Sequence, residues 1–182
     1  MSHIVIAGGH GQIALRLAAL LSARGDHVCG LIRNPDHEGD VRATGARPIV
    51  ADMEALDDLA DLVEGVNAVV FAAGAGPGSG PERKRTVDLG AAVKLLDGAR
   101  RTGVRRYLMI SAMGAADPAT GSEVMRPYLE AKARADAALA ASDLEWTIVL
   151  MTKACRTSGA GVGRTTIRVP APGPRPRAGT TR

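Results

Sequence analysis

Short apolar runs alternate with segments of helical period along most of this chain, and that alternation limits the fold more than any other feature. His3 to Ala7 reads as a buried strand. Gln12 to Arg24 reads as a helix, with apolar residues at Ile13, Leu17, Leu20 and Leu21. Gly25 stops that helix, and Val28 to Ile32 is a second strand. Asn34-Pro35-Asp36 opens a short helix reaching about Thr44, and Pro48 to Ala51 is a third strand. A helix is expected from Met53 to Val63, then a fourth strand from Ala68 to Phe71. After a loop at Gly74 to Pro81 the pattern resumes. A helix from Glu82 to Arg101, a strand from Arg106 to Ser111, a loop from Gly114 to Met125, a helix from Pro127 to Ser142 and a strand from Glu145 to Leu150 complete it. The strands are apolar throughout and do not alternate, as in a parallel sheet covered on both faces. Right-handed crossovers then lead to an α/β fold, a doubly wound, Rossmann-type parallel sheet of order 3-2-1-4-5-6 in a single domain.

The first strand runs into Gly8, Gly9 and Gly11 before its helix begins. Two spacings fit a dinucleotide fingerprint: Gly9-x-Gly11-x-x-Ala14 and Gly8-x-x-Gly11-x-x-Ala14. One glycine allows the tight turn and another leaves no Cβ between the backbone and a pyrophosphate. The small Ala14 lets helix and strand pack closely. The helix start, from His10 through Gln12 and Ile13, then offers free N–H groups and the positive end of its dipole to the phosphates. A second-strand acid about 20 residues on would hold the ribose hydroxyls of NAD, whereas an Arg suits the 2′-phosphate of NADP. That strand ends "GLIRNP", with Arg33 and no acid before Asp36. A guanidinium pairs well with a phosphate dianion, so NADP (NADPH) is favoured over NAD.

These residues carry a likeness. The ordered set "GGHGQIA", "LIRNP", "ADMEAL", "VVFAAGAG", "GVRRYLMISAMGA" and "YLEAK" resembles the short-chain dehydrogenase/reductase superfamily, in its atypical, NmrA-like, NAD(P)H-binding branch, over about residues 1–150. The resemblance implies that Gly8, Gly11 and Ala14 form the phosphate loop and that Arg33 meets the 2′-phosphate. It places Asp52 by the adenine, and Ala72, Ala73 and Gly74 along the cofactor. It also implies catalytic roles for Ser111, Tyr128 and Lys132, the last two matching a Tyr-x-x-x-Lys pair. Residues four apart share one helix face. A nearby ammonium favours a phenolate, which otherwise forms only near pH 10. Ser111 would polarise a substrate carbonyl.

The chain then departs from the pattern. No Arg-Pro-Gly-like turn follows Val149, and the expected domain boundary lies there: a cofactor-binding domain over 1–150 and a tail over 151–182. From Met151 onward there are seven Lys or Arg and no acid, and four of the ten prolines fall between Pro170 and Pro176. The tail has no helix period and no strand pattern beyond "TTIRV", and disorder is expected over the tail as a whole. Truncation or an altered reading frame after about Leu150 is the expectation. The net charge of +4 is a property of the tail, since 16 basic and 19 acidic residues precede it. A nucleic-acid partner is therefore not expected, and aromatics at 2% leave no base-stacking platform. Cys29 and Cys155 form no metal or disulfide pattern, and His3, His10, His27 and His37 lack ligand spacing. With no leader and no membrane-length apolar stretch, a cytoplasmic location is expected. The expected function is NADP-dependent oxidation and reduction of a small carbonyl-type substrate. A non-catalytic NADP(H)-sensing regulator, an inactive truncated paralogue and a nucleotide-sugar epimerase or dehydratase are the alternatives.

Overall fold

The computed structural model describes residues 1–76, 78–151 and 165–170. Six parallel strands form the sheet: β1 (His3–Ala7), β2 (His27–Ile32), β3 (Arg47–Val50), β4 (Ala68–Phe71), β5 (Arg106–Ala112) and β6 (Glu145–Met151). A seventh, β7 (Thr165–Arg168), pairs antiparallel with β6, and the order is β3-β2-β1-β4-β5-β6-β7. The expected order 3-2-1-4-5-6 is thus present, with the "TTIRV" segment added at the edge. The remainder of the tail, on which disorder was expected, lies outside the described residues.

Past the exposed first residues His3, His27, Arg47, Arg106 and Glu145, the strands are mostly apolar because both faces of the sheet are covered. In β1, Val5 and Ala7 point to one core with Val69, Phe71, Leu95 and Leu139. Ile4 and Ile6 point to the other with Ala14, Ala18, Val28 and Val41. The second face is covered by α1 (Gln12–Ala23) and α2 (Glu38–Ala43). The first is covered by α4 (Ala92–Arg101) and α5 (Arg126–Ala140), which bury Leu95, Ala99, Ala135 and Leu139.

Two expected elements differ. The long helix is continuous from α3 (Pro81–Arg83) to α4, but Lys84–Ala91 between them is π-helical. Such wide turns recur at functional sites, and here the segment buries Asp88. The helix expected over Met53 to Val63 does not form; a turn and a short 3-10 helix at Ala60–Leu62 replace it. Local polar bonds compete with the helix ladder. The Asp52 carboxylate accepts the Glu54 N–H at 2.9 Å, and Asp58 accepts the Ala60 N–H at 2.9 Å. Gly98 of α4 also presses on this backbone: a Cβ there would lie 3.0 Å from the Ala60 nitrogen. Leu59 and Val63 still reach the core.

The glycine bend is packed closely against the neighbouring strands. A Cβ at Gly9 would sit 2.8 Å from the Cα of Gly30 in β2, backbone against backbone. Gly9→Ala is expected to cost about 1–3 kcal/mol by overpacking and to lower the melting temperature by several degrees. Gly39, in α2, has nothing within 4 Å of an added Cβ. Gly39→Ala should therefore raise stability, by up to about 1 kcal/mol. Thermal unfolding of the two variants checks both signs.

Candidate cofactor cleft and active site

The bend after β1 is shaped for a close backbone approach. Gly8 has φ +77°, and a Cβ on it would lie 2.6 Å from the Cα of Ala73, just past β4. Gly9 is buried and donates its N–H to Leu31 O at 2.8 Å, so its role is packing against β2. Gly11 stands at the N-cap of α1 and donates to Gly8 O at 2.9 Å. No side chain caps the helix and no acid lies in its first turn. The first-turn N–H groups, those of Gln12 and Ile13 included, precede the helix ladder and have positive dipole behind them. This is a chain that fits a pyrophosphate: a Cβ-free cradle beside an uncapped helix start.

A cleft opens at the carboxyl ends of β1, β2 and β4, the topological switch point where such sheets take ligands. Of the expected cofactor residues, Gly8, His10, Gly11, Arg33, Asp52, Ala72, Ala73 and Gly74 all line it. Gly9, Gln12 and Ile13 do not. The lining also includes His37, Glu54 and Arg83, which sequence reading missed. Glu54 is the hub of this wall. Its Oε2 lies 3.2 Å from Arg33 Nη1 and 3.0 Å from Arg83 Nη2, and Thr86 donates to its Oε1 at 2.7 Å. Across the mouth, His10 stacks on His37 with ring centroids 3.6 Å apart, and its Nε2 meets Asp40 at 2.8 Å. These partners are 21 to 32 residues apart, so no local spacing announces them.

Ser111, Tyr128 and Lys132 stand outside the cleft lining. Ser111, buried in β5, donates its hydroxyl to Asp136 Oδ2 at 2.7 Å. Lys132 is buried, with its ammonium 3.2 Å from Asp88 Oδ1 as an ion pair. The same ammonium donates to Ala73 O at 3.2 Å and Ile110 O at 3.4 Å, tying the ends of β4 and β5 together. Asp88 in turn accepts the Ala75 N–H at 3.1 Å, which anchors the loop after β4. Tyr128 is half-buried on α5, its ring centroid 6.0 Å from Lys132 Nζ and 5.3 Å from Lys84 Nζ. Lys132 and Tyr128 are thus neighbours, as their spacing requires, while Ser111 is engaged one turn further along α5. Asp88 and Asp136 were not visible as partners in the sequence. Asp136 does lie four residues after Lys132, on the same helix face.

Burial raises the Asp136 carboxyl above its ordinary value; the Ser111 hydroxyl and the Lys132 and Arg168 charges oppose that rise. Its Oδ1 has no hydrogen-bond partner among the described residues. Among the described residues no group of His, Cys, Asp and Glu could hold a metal, and no helix is long and apolar enough to cross a membrane.

Two expectations follow from this buried charge. Lys132→Met strands Asp88 and should cost about 3–5 kcal/mol, part of which Asp88→Asn in the same chain recovers; urea unfolding reads both. Folding favours protonated Asp136, so its contribution is fully present below the ordinary carboxylate range and is lost as pH rises through its raised value. Asp136→Asn keeps an acceptor for Ser111 and removes that loss. Its melting temperature should exceed that of the unmodified chain near neutral pH, with the gap closing toward about pH 4.

Known proteins agree with the fold. A family model described as NAD(P)H-binding matches residues 8–175. The uncharacterized sugar epimerase YhfK of Bacillus subtilis is 32% identical over 148 residues, 80% of this chain and 69% of that protein. A UPF0659 protein of Schizosaccharomyces pombe is 31% identical over 183 aligned positions, covering 88% of this chain and 74% of that one. The solved structure of a candidate NAD-dependent epimerase/dehydratase from Bacillus halodurans superposes with a TM-score of 0.78 at 34% identity, over 84% of this chain and 71% of that chain. The chain therefore belongs to the NAD(P)H-binding family.

Proposed function

We propose that this protein is an NADP-dependent oxidoreductase acting on a small carbonyl-type substrate, in an NmrA-like branch of the short-chain dehydrogenase/reductase superfamily. The carrying observation is the cleft itself. The Gly8 cradle, the uncapped start of α1 and Arg33 converge at the switch point between β1 and β4. Gly8 and Gly11 would hold the pyrophosphate. Ala72, Ala73 and Gly74 would line the path toward the substrate, and Arg33 would bind the 2′-phosphate. The nicotinamide supplies the hydride chemistry when bound. This chain's own contribution is placement, with Tyr128 as the proton donor to a substrate oxygen. Ser111 would hydrogen-bond that oxygen once its hydroxyl turns from Asp136.

A second reading is favoured by one observation. Ser111 is engaged with Asp136 and Lys132 with Asp88, so neither is committed to the cleft. A protein that binds NADP(H) and signals its presence to a partner needs the cleft alone. The epimerase wording in the names of two relatives supports a third chemistry, in which the cofactor ends in its starting redox state.

Calorimetry with NADPH and NADH tests the shared core of these readings. NADPH is expected to bind more tightly, and Arg33→Ala should remove that preference while NADH binding stays near its original strength. Failure of a folded protein to bind either nucleotide would reject all three. A carbonyl substrate panel then separates them. A reductase consumes NADPH in proportion to product and loses turnover in Tyr128→Phe with NADPH binding intact. An epimerase shows no net consumption, and a sensor shows no turnover at all.

A further inference from the structure

The wall around Glu54 carries more charge than a staple needs. Two guanidiniums from distant elements, Arg33 at the end of β2 and Arg83 in α3, converge on a single oxygen, Glu54 Oε2, at 3.2 and 3.0 Å. Arg83 Nε also points there at 3.3 Å. The other oxygen is taken by Thr86 at 2.7 Å, so the carboxylate is held from both sides. The neighbouring acid, Asp52, is committed to the turn through the Glu54 N–H. Arg33 and Arg83 outnumber Glu54 by one charge, and Asp52 in the same wall balances the remainder. Exposed ion pairs contribute little to stability, and the Glu54 side chain is 25% exposed against 53% and 38% for the two arginines. Each guanidinium has five N–H donors in a planar fork, most of them unused by Glu54. That combination suits a phosphate monoester, which takes paired N–H donors from planar cations.

We infer that Arg83 joins Arg33 as a second guanidinium for the phosphate on the adenosine ribose, and that Glu54 aligns the two arginines while opposing the phosphate charge. Arg83 is then a specificity residue supplied by the helix that follows the Gly74 loop, and Glu54 sets how strongly the phosphorylated ribose is preferred. The inference rests on the NADP reading above.

Calorimetry of the full chain with adenosine 2′,5′-bisphosphate and with 5′-AMP isolates the phosphate. Arg83→Gln is expected to weaken the bisphosphate by about tenfold while 5′-AMP changes by no more than about twofold. Glu54→Gln is expected to strengthen the bisphosphate relative to 5′-AMP, because it removes a like charge and keeps an acceptor for Thr86. An unchanged ratio in Arg83→Gln, with only a lower melting temperature, would mean an ion-pair staple and overturn the inference. Weaker binding of both nucleotides in Glu54→Gln would overturn the opposing role of Glu54. The two levels of failure are distinct. If the unmodified chain binds both nucleotides with no preference for the bisphosphate, the NADP reading falls and this inference with it. If it binds NADPH more tightly than NADH and prefers the bisphosphate, but Arg83→Gln leaves that preference unchanged, only this inference falls.

Discussion

The contact on which the cleft depends is one of backbone on backbone. Gly8 lies against the chain leaving β4 and Gly9 against β2, with separations that leave no room for a side chain on either. The three strand ends can be drawn together only because those residues lack a Cβ. Their convergence has three consequences. It closes the bottom of the cleft, it sets the height at which α1 begins, and it delivers the first free amides of that helix beside Ala72 to Gly74. A protein interior is too densely packed to relax around an added methyl at such a point. The steric rule that shapes the fold is therefore the same rule that leaves the backbone here open to the close approach a phosphate would need.

The sheet and its order were legible because burial on both faces leaves a plain mark, a strand with no polar alternation. Val5 and Ala7 serve one core and Ile4 and Ile6 the other, so no position of the run is free to be polar. The Met53 to Val63 segment misled for an opposite reason. Its apolar spacing is helical, but Asp52 and Asp58 cap the backbone locally and Gly98 brings α4 onto it. Periodicity reports which residues reach the core, as Leu59 and Val63 do, and not the path the backbone takes between them. The π-helical turn carries no spacing signal either, since its register is set by what Asp88 must meet.

The site divides along the same line. Gly8, Gly11 and Arg33 were legible as cleft residues because each stands just past the end of its own strand. Glu54, Arg83 and Thr86 were not, because their meaning lies in a meeting of three segments. Asp88 and Asp136 show the same limit. Each carboxylate reads alone as one more charge on a helix, and burial makes it the partner of a residue that was read as catalytic.

That burial bears on the chemistry. A cation lowers the pKa of a phenol by its field at the oxygen. The Lys132 ammonium lies 3.2 Å from Asp88 and 6.0 Å from the centre of the Tyr128 ring. An opposite charge held that close cancels most of the field beyond it, and the low dielectric of the interior strengthens the pair as much as the field. In this arrangement Lys132 joins β4 to β5 more than it activates Tyr128. Lys84, 5.3 Å from the same ring, is the second cation in reach, though its ammonium is bound to Gly76 O at 2.9 Å. On the reductase reading, activation of Tyr128 would draw on one of these ammoniums, held by Asp88, which anchors Ala75, or by the carbonyl of Gly76. Gly76 belongs to the loop that follows β4 and borders the cleft, and Asp88, in the π-helical segment, anchors that loop through the Ala75 N–H. On the reductase reading, occupancy of the cleft and readiness of Tyr128 would be linked through that loop, and a chain that kept the loop fixed would bind the nucleotide without turning over a substrate.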